Sequence, residues 1–429
     1  MIYTFLKRQF HLVKKNGLSE IIRKIKLFPK YILDYFFFLF FTPIFFLLFL
    51  IAKIFKYKIV TNQVICWRLG HFLGNTDFFI SNKKNIPNND KIIFLWYLPC
   101  EPCNYFFYKK LKNKINIVPS FIGQSLEAIS NIFYKKNINT DRDIFNYLDS
   151  SPPNFQFTNS ELEEGFRFLS SLGISKTDKF VCLNVRDEAY LNYQSKMAGS
   201  RVDWSYHNYR NCNIENYSDA AIELANKGFY VFRMGAIVNK PFDLKHPKIF
   251  DYASNGMRTE FLDIFLGAHC AFAISNGTGF DAVPYIFRRP ILYVDHVPLG
   301  IINSFSKRFL ITTKKVWSED YKRYLTFEEI FSSGIGYDLS GNLSKYHGNL
   351  SFHESNSKEI KSYVDEMILR NEKKWVDTKK DKYNQKIFWS IYEKREGIHG
   401  KIKSIISTNF LRKNVKLLKK RNIQIRKIL

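Results

Sequence analysis

Three arginines lie where predicted β-strands end or in a polar loop of the second half of the sequence. Arg186 follows the apolar run 179–185, Arg233 belongs to the run 229–234, and Arg210 lies in the segment YRNCNIENY. A guanidinium group forms paired hydrogen bonds with phosphate oxygens. Because ligands of open parallel sheets bind beyond the carboxyl ends of the strands, we expect the three side chains to meet a phosphate-bearing ligand at that edge.

A run of small residues follows another predicted strand, CAFAIS (270–275). It consists of Ser275, Asn276, Gly277, Thr278 and Gly279. Its two glycines can adopt positive φ, and the backbone amides, the Thr278 hydroxyl and the start of the next helix would form an anion cradle. The alternative is an ordinary strand-to-helix turn capped by its polar residues. The arginines expected at the same edge favour the anion site.

Short apolar runs alternate with helix-like segments from residue 63 onward, which predicts parallel sheets and an α/β fold. The predicted strands are 63–67, 91–98, 115–119, 179–185, 229–234, 248–252, 270–275 and 290–294. The predicted helices are 141–148, a helix opened by Ser160 and Glu163, 217–228, 259–269, 280–288 and 357–375. RLGHFLGN (68–75) is predicted to be a glycine-containing loop, and 150–155 a linker.

This pattern predicts two Rossmann-like domains that face a cleft. We place a basic segment and a membrane anchor in 1–60, a first domain in 61–155 and a second domain in 156–345. Residues 346–400 would be helices that pack back on the first domain, and 401–429 a basic tail.

Several motifs in a fixed order resemble a known family. They are RLGHFLGN, V-R-D, Y-R-N, F-R-M-G, and S-N-G-T-G before a helix that ends in R-R-P. Together, over roughly residues 60–370, they resemble bacterial glycosyltransferases encoded with surface-polysaccharide genes, similar in plan to GT-B protein O-fucosyltransferases. Asn184 stands where the fucosyltransferase H-x-R motif has histidine, so the motif does not indicate fucose as the donor sugar.

The resemblance implies transfer of a sugar from a nucleotide-diphosphate donor with no bound metal and no cofactor. In the GT-B arrangement that it implies, 61–155 would be the acceptor domain and 156–345 the nucleotide-sugar domain. No D-x-D motif stands in the cleft segments, which agrees with this. Arg186 would bind the leaving diphosphate. Further donor contacts would come from Arg233, Gly235, Ser275, Asn276, Gly277, Thr278 and Gly279. The residues that orient donor or acceptor would be Arg210, Asn211, Arg68 and Asn75.

An inverting reaction needs a general base to deprotonate the acceptor hydroxyl. His71 is the candidate, with Glu188 and Asp187 as competitors. A structural role stays open for each: His71 could pack or hydrogen-bond within its loop, and the two carboxylates could pair with arginines.

Residues 35–52 contain no charge, and basic residues flank them on both sides. Because the positive-inside rule places both flanks on the cytoplasmic side, we expect a re-entrant anchor that breaks at Thr42–Pro43. A kinked single span and a buried core helix are the alternatives. Residues 1–30 are predicted to form a basic amphipathic helix on the membrane surface.

The charge of +26 is concentrated at the chain ends. Eleven Lys/Arg and two acidic residues lie in 1–60, and ten Lys/Arg with no acidic residue lie in 401–429. Basic ends beside an apolar segment favour an anionic membrane surface over nucleic acid as the partner. The alternative for 401–429 is a solvated tail. The six cysteines are predicted to be structural thiols.

The sequence therefore predicts a glycosyltransferase at the cytoplasmic face of the inner membrane, acting on a lipid-linked or surface-glycan acceptor. A non-catalytic nucleotide- or glycan-binding scaffold and a different transferase, such as a phospho- or pyruvyl transferase, are the alternatives.

Overall fold

The computed structural model describes residues 36–37, 39–84, 91–134, 141–197 and 203–419. They divide into two compact units that interleave along the chain. The first contains residues up to Arg68, 83–138 and 191–203; the second contains 69–82, 139–190 and 204–429. Residues 69–82 and 139–155, which the sequence prediction places in the N-terminal domain, thus lie in the second unit.

The first unit is built on two parallel strands, β1 (Lys58–Gln63) and β2 (Ile92–Tyr97). Its helices are α1 (residues 36–37 and 39–54), α3 (Tyr105–Lys112) and α4 (Ser120–Phe133). Phe49 of α1 is buried against Leu126 and Ile129 of α4, and Ile59 and Leu95 of the sheet pack on this cluster. One face of α1 is therefore part of the core of the unit.

Helix α1 continues through Thr42 and Pro43, so the predicted break there, and with it the re-entrant hairpin, is wrong. A proline removes one backbone hydrogen-bond donor and kinks a helix, but here the apolar residues before and after Pro43 are both helical. Among the residues that the structure describes, no helix is long and apolar enough to cross a membrane, and the predicted membrane helix is not found there. The predicted amphipathic helix 1–30 lies outside the described residues.

The second unit is built on a seven-stranded sheet in which all strands are parallel, in the order β12-β8-β7-β6-β3-β4-β5. Its strands are β3 (Phe180–Asn184), β4 (Tyr230–Arg233), β5 (Ile249–Phe250), β6 (Phe272–Ser275), β7 (Ile291–Tyr293), β8 (Phe309–Ile311) and β12 (Ile405–Ile406). A three-stranded antiparallel sheet adds β9 (Lys315–Ser318), β10 (Arg323–Tyr324) and β11 (Leu350–His353). The predicted α/β class with parallel sheets is confirmed.

The second unit also contains helices. They are α2 (Leu69–Lys83), α5 (Tyr147–Ser150), α6 (Asn159–Ser171), α8 (Ser218–Asn226), α9 (Glu260–His269), α10 (Ala282–Ile286), α11 (Phe327–Ser332), α12 (Ser357–Asn371), α13 (Lys379–Ile391), α14 (Glu396–His399) and α15 (Thr408–Lys413). Of these, α8, α12 and α15 contact strands of the large sheet. A further helix, α7 (Ala189–Met197), runs from the second unit into the first.

Two segments near the C-terminus differ from their prediction. Helix α12, predicted to pack back on the first domain, belongs to the second unit, where it packs on α8. Residues 405–406, predicted to lie in a basic tail, form the edge strand β12 beside β8, and Phe410 and Leu411 of α15 are buried. Apolar side chains between the lysines therefore fold this part of the tail into the unit. Residues 420–429 are outside the described part.

Local elements of the first half also differ from prediction. The strand predicted at 63–67 is β1 at Lys58–Gln63, and the one predicted at 115–119 forms a single bridge between Trp96 and Ile117. The predicted loop 68–75 is the beginning of α2. Helix α6 is capped by Thr158, whose hydroxyl accepts the Glu161 N–H, two residues before the predicted Ser160 cap.

Candidate functional site

The carboxyl ends of β3 and β6 meet at one edge of the large sheet. Asn184 is in register with Ser275, and Leu183 is in register with Arg233 of β4. The Nδ2 group of Asn184 donates to the Thr278 hydroxyl at 2.9 Å, which joins the end of β3 to the loop after β6. The polar segments singled out from the sequence therefore begin at a common edge.

Asn276 connects the two arginines that border this edge. Its Oδ1 accepts the backbone N–H of Arg186 at 2.9 Å, and its Nδ2 donates to the carbonyl of Arg210 at 3.2 Å. Arg210 in turn donates from Nη2 to the carbonyl of Gly277 at 2.6 Å. Arg210 is the last residue of a 3-10 helix, Ser205–Arg210. The loop after β6 thus fixes both arginines in one place.

The guanidinium groups of Arg186 and Arg210 have unused donors. The Nε and Nη2 atoms of Arg186 and the Nε atom of Arg210 are buried without a hydrogen-bond partner. Burial, and then the neighbouring charge of Arg210, lower the pKa of Arg186 to about 10. Within the described part of the chain, neither arginine forms an ion pair with a carboxylate. Two adjacent cations with buried, unpaired donors make a site for an anion, because an unpaired buried charge is costly.

His296, at the end of β7, forms part of the wall of this site. It is buried, and its Nδ1 atom has no hydrogen-bond partner. Burial, and then the charges of Arg210 and Arg142, lower the pKa of His296 to about 3, so the ring is neutral at pH 7. Gly277 has φ of +85°, and a Cβ there would lie 3.1 Å from His296 Cδ2 and Nε2. The loop passes the imidazole this closely only because residue 277 is glycine.

The remaining groups of the 275–279 loop bind one another. Asp281 accepts the Thr278 N–H at 2.8 Å and the Thr278 hydroxyl at 3.1 Å, and Ser275 Oγ lies 3.4 Å from that hydroxyl. This is a capping box, in which a buried carboxylate occupies the place predicted for a phosphate. The amide and hydroxyl of Thr278 are therefore already hydrogen-bonded, whereas the neighbouring arginines have unpaired donors.

Arg233 is separate from the arginine pair. Only 1% of it is exposed; its Nη1 lies 3.3 Å from Asp251 Oδ1, and its Nη2 donates to the carbonyl of Lys240 at 3.1 Å. Gly235, with φ of +154°, lets the following loop turn back, since a Cβ there would lie 2.6 Å from Val238 Cγ1. Both residues brace the end of β4.

Glu188 links the segments that follow β3 and β4. Its two carboxylate oxygens accept from Asn211 Nδ2 at 2.7 Å and from Asn239 Nδ2 at 2.6 Å. Asp187 accepts the backbone N–H of Asn239 at 2.8 Å and that of Ala189 at 2.9 Å. Both carboxylates, predicted as competitors for the general base, thus hold loops in place, and Asn211 is part of this latch.

His71 lies in the first turn of α2, half-buried. Its neighbour Gly70 meets the loop after β6, because a Cβ on Gly70 would lie 3.0 Å from Gly279 Cα. The structure thus brings the start of α2, which carries His71, to the 275–279 loop. Asn75 is one turn further along α2 and donates to Asp141 at 2.9 Å. Arg68 is an exposed residue of the first unit.

Three residues of this region were missed from sequence: His296, Asp281 and Lys314. Asp281 had a usable signal, because Thr278 and Asp281 have the spacing of a capping box. His296 and Lys314 follow β7 and β8, where the same edge rule that selected the arginines applies.

One cluster of described residues has the composition of a metal site. Ligand atoms of Cys212, Asp295 and Glu354 lie within 4.8 Å of one another. The ammonium group of the buried Lys314 lies 3.4 Å from Glu354 Oε1, and Ser355 donates twice to Asp295. Burial raises the pKa of the Cys212 thiol to about 12, which opposes the thiolate that a metal needs. Lys314 already supplies the positive charge here.

No protein-family model matches the chain, and no curated protein matches it in sequence. Several solved structures are similar in fold. One is a glycosyl transferase family 9 structure from Veillonella parvula DSM 2008. The match covers 74% of this chain and 98% of that chain, with 12% identity and a TM-score of 0.43. The match with E. coli ADP-heptose LPS heptosyltransferase II covers 60% of this chain and 90% of that chain, with 10% identity and a TM-score of 0.36. The match with the structure of E. coli heptosyltransferase WaaC with ADP-2-deoxy-2-fluoro heptose covers 60% of this chain and 92% of that chain, with 11% identity and a TM-score of 0.27. The resemblance to O-fucosyltransferases stays a prediction.

Proposed function

We propose that this chain is a glycosyltransferase that uses a nucleotide-diphosphate sugar, and that Arg186 and Arg210 bind the diphosphate. One observation carries the proposal: two adjacent, half-buried arginines at the carboxyl edge of a parallel sheet form no ion pair with a carboxylate of the described residues and have buried donor atoms without a hydrogen-bond partner. A diphosphate supplies the two negative charges and the several acceptor oxygens that these donors need.

The reaction follows from that assignment. The bond between the sugar's anomeric carbon and the diphosphate oxygen breaks, and the electron pair stays on the diphosphate. Arg186 and Arg210 stabilise that charge as it develops, without a metal being required. An acceptor hydroxyl attacks the anomeric carbon and gives up its proton. His71, which follows the Gly70 contact with Gly279, is the candidate base, since both oxygens of Glu188 are engaged.

We further propose that the acceptor is a lipid-linked or surface glycan at the cytoplasmic face of the inner membrane. The basic chain ends support a membrane location. Attachment near the bilayer would raise the effective concentration of a lipid-bound acceptor.

A second candidate is a non-catalytic binder of the same nucleotides. The occupied oxygens of Glu188 favour it, because the carboxylates next to Arg186 are held by loops. Both candidates predict nucleotide binding, and only the first predicts release of nucleoside diphosphate from a donor.

The test is a thermal-shift series with GDP, UDP, CMP, ADP and dTDP, since a ligand that binds the folded state raises its stability. We expect one nucleoside diphosphate to raise the Tm of the wild type and of Arg167→Ala, an exposed-arginine control, but not of Arg186→Ala or Arg210→Ala. No shift with any nucleotide, or an equal shift in Arg186→Ala, would overturn the proposal. Release of that diphosphate from its sugar donor, unchanged by EDTA, separates enzyme from binder.

A further inference from the structure

We propose that the exposed face of helix α1 is an interaction surface for an anionic lipid bilayer, with the helix lying in the plane of the membrane. The inference rests on the first unit alone and is independent of the proposed activity.

Helix α1 has one face packed on protein along its length. Phe37 and Phe41 lie with ring centroids 4.9 and 6.2 Å from that of Phe121 near the start of α4. Phe46 and Phe49 lie 5.5 and 5.7 Å from the ring of Phe133 at its end. The helix is therefore fixed lengthwise against α4, and its other face points away from the core of the unit.

That other face carries large apolar side chains from one end of the helix to the other. They are Phe36, Leu39, Phe40, Ile44, Leu47, Leu48, Leu50, Ile51 and Ile54, followed by Phe55 just after the helix. Phe46, which packs on Phe133 and is 42% exposed, stands at the border of the two faces. The most exposed is Ile54 at 75%. No charged residue interrupts the run between 36 and 52. A continuous apolar surface of this extent is unusual on a soluble monomer and marks an interaction site.

Positive charge surrounds one end of this face. Lys53, Lys56 and Lys58 follow the apolar run and are exposed. Lys91 is also exposed, and its carbonyl accepts the N–H of Lys58, so it lies at the same end. The described residues of the first unit contain twelve Lys/Arg and three acidic residues. An apolar helix face bordered by lysines matches an anionic bilayer, because the side chains enter the acyl region while the ammonium groups meet phosphates.

The test measures co-flotation of the full chain with vesicles of phosphatidylcholine alone and of phosphatidylcholine with phosphatidylglycerol. We expect binding to the anionic vesicles. The double variant Leu47→Asn/Ile54→Asn should lower the partition coefficient at least about tenfold, since buried apolar groups supply the attraction. Lys53→Glu/Lys56→Glu should also lower it about tenfold or more on anionic vesicles, with little effect on neutral ones. Val376→Asn, at a residue that is 81% exposed in the second unit, is the matched control and should bind like the wild type.

Equal binding of Leu47→Asn/Ile54→Asn and wild type would overturn the proposal, as would equal wild-type binding to both vesicle types. A third result would also overturn it: the wild type does not bind vesicles and is a dimer without lipid, and the double variant is a monomer. In that case a second copy of the chain would cover the face. The assay contains no nucleotide, so Arg186→Ala should bind vesicles normally. The α1 variants should keep the nucleotide-induced shift in Tm, which separates a failure here from a failure of the proposed function.

Discussion

Asn276 holds the backbone of Arg186 through its side-chain oxygen, which accepts the Arg186 N–H at 2.9 Å. The same amide group donates to the carbonyl of Arg210 at 3.2 Å. Because one planar group makes both bonds, the spacing of the two arginine backbones is set by a single side chain. On the proposed function, Asn276 would therefore position the two anion-binding arginines without touching the anion itself.

Two substitutions of Asn276 should affect the free energy of unfolding and the affinity for nucleotide in different proportions. Asn276→Ala leaves the Arg186 N–H unpaired, which should cost about 1–3 kcal/mol of unfolding free energy. It should also weaken nucleotide binding about tenfold, because the arginines lose their common support. Asn276→Asp keeps the acceptor for Arg186, so it should lose less stability. Its charge would compete with the diphosphate, so it should lose more affinity than Asn276→Ala.

Urea denaturation and nucleotide titration measure the two quantities. Asn371→Ala is the control, since that side chain makes one exposed bond to the Ala271 carbonyl. An Asn276→Asp protein that binds nucleotide as tightly as wild type would contradict the assignment of Arg186 and Arg210 to an anion.

Elements with a strong local signal could be predicted from sequence. Helix α9 is capped by Thr259, whose hydroxyl accepts the Leu262 N–H, and it was predicted within one residue at its start. Strands β3 and β6 are fully buried apolar runs, and both were predicted with their C-terminal ends within one residue. In these segments the cap or the apolar run alone decides the structure.

Helix α2 shows why local signals fail elsewhere. Gly70 and Gly74 lower helix propensity, which favoured a loop at 68–75. Both are needed for packing instead: a Cβ on Gly70 would press on Gly279, and one on Gly74 would lie 1.9 Å from the Tyr285 hydroxyl. The partners of these glycines are distant in sequence, so the reason for them is visible only in the folded chain.

The arginines of the site show the same limit. Arg186 and Arg233 both stand at the carboxyl end of a strand, and the sequence gives no way to rank them. Arg233 forms an ion pair with Asp251 and has one unpaired donor, Nε, whereas Arg186 has two unpaired donors and no ion pair with a carboxylate of the described residues. Which arginine is free to bind a ligand depends on where the carboxylates fold, and that is a tertiary property.

Gly277 should be more sensitive to substitution than its backbone angle alone requires. Gly277→Ala and Gly173→Ala both place a Cβ at positive φ, +85° and +74°. A Cβ at 173 would meet nothing within 4 Å, whereas one at 277 would meet the His296 ring. We expect Gly173→Ala to cost about 1 kcal/mol of unfolding free energy, as backbone strain does. Gly277→Ala should cost more and should also weaken nucleotide binding. Equal losses of stability, with affinity unchanged in both, would show that His296 can move aside.

Glu188 should behave as a latch and not as a base. Glu188→Gln keeps one acceptor oxygen, so nucleotide affinity and donor turnover should stay within a few-fold of wild type. Glu188→Ala frees Asn211 and Asn239 and should weaken nucleotide binding. Asn239→Ala removes one of the same bonds and should reproduce part of that loss. A general base would give a different result: Glu188→Gln would lose about 10²–10⁴-fold in turnover at unchanged affinity.

The buried carboxyl group of Asp281 should make stability depend on pH. Burial raises the pKa of Asp281 from 3.8 to about 6 in the folded state, against hydrogen bonds from Ser275 and Thr278 that lower it. A folded state with the higher pKa holds the proton more tightly, so this contribution to stability is full below about pH 3.8 and is lost as pH rises through about 6.

Asp281→Asn cannot titrate. Between pH 4 and 7 the unfolding free energy of wild type should therefore fall relative to Asp281→Asn by up to about 3 kcal/mol. His296, whose pKa is lowered, acts with the opposite sign but is common to both proteins and cancels in the comparison. Urea denaturation at several pH values measures the difference, and Asp320→Asn, at an exposed position, is the control. If the two proteins changed in parallel from pH 4 to 7, Asp281 would have to be ionised throughout that range, and the capping carboxylate would add a fixed negative charge next to the arginine pair.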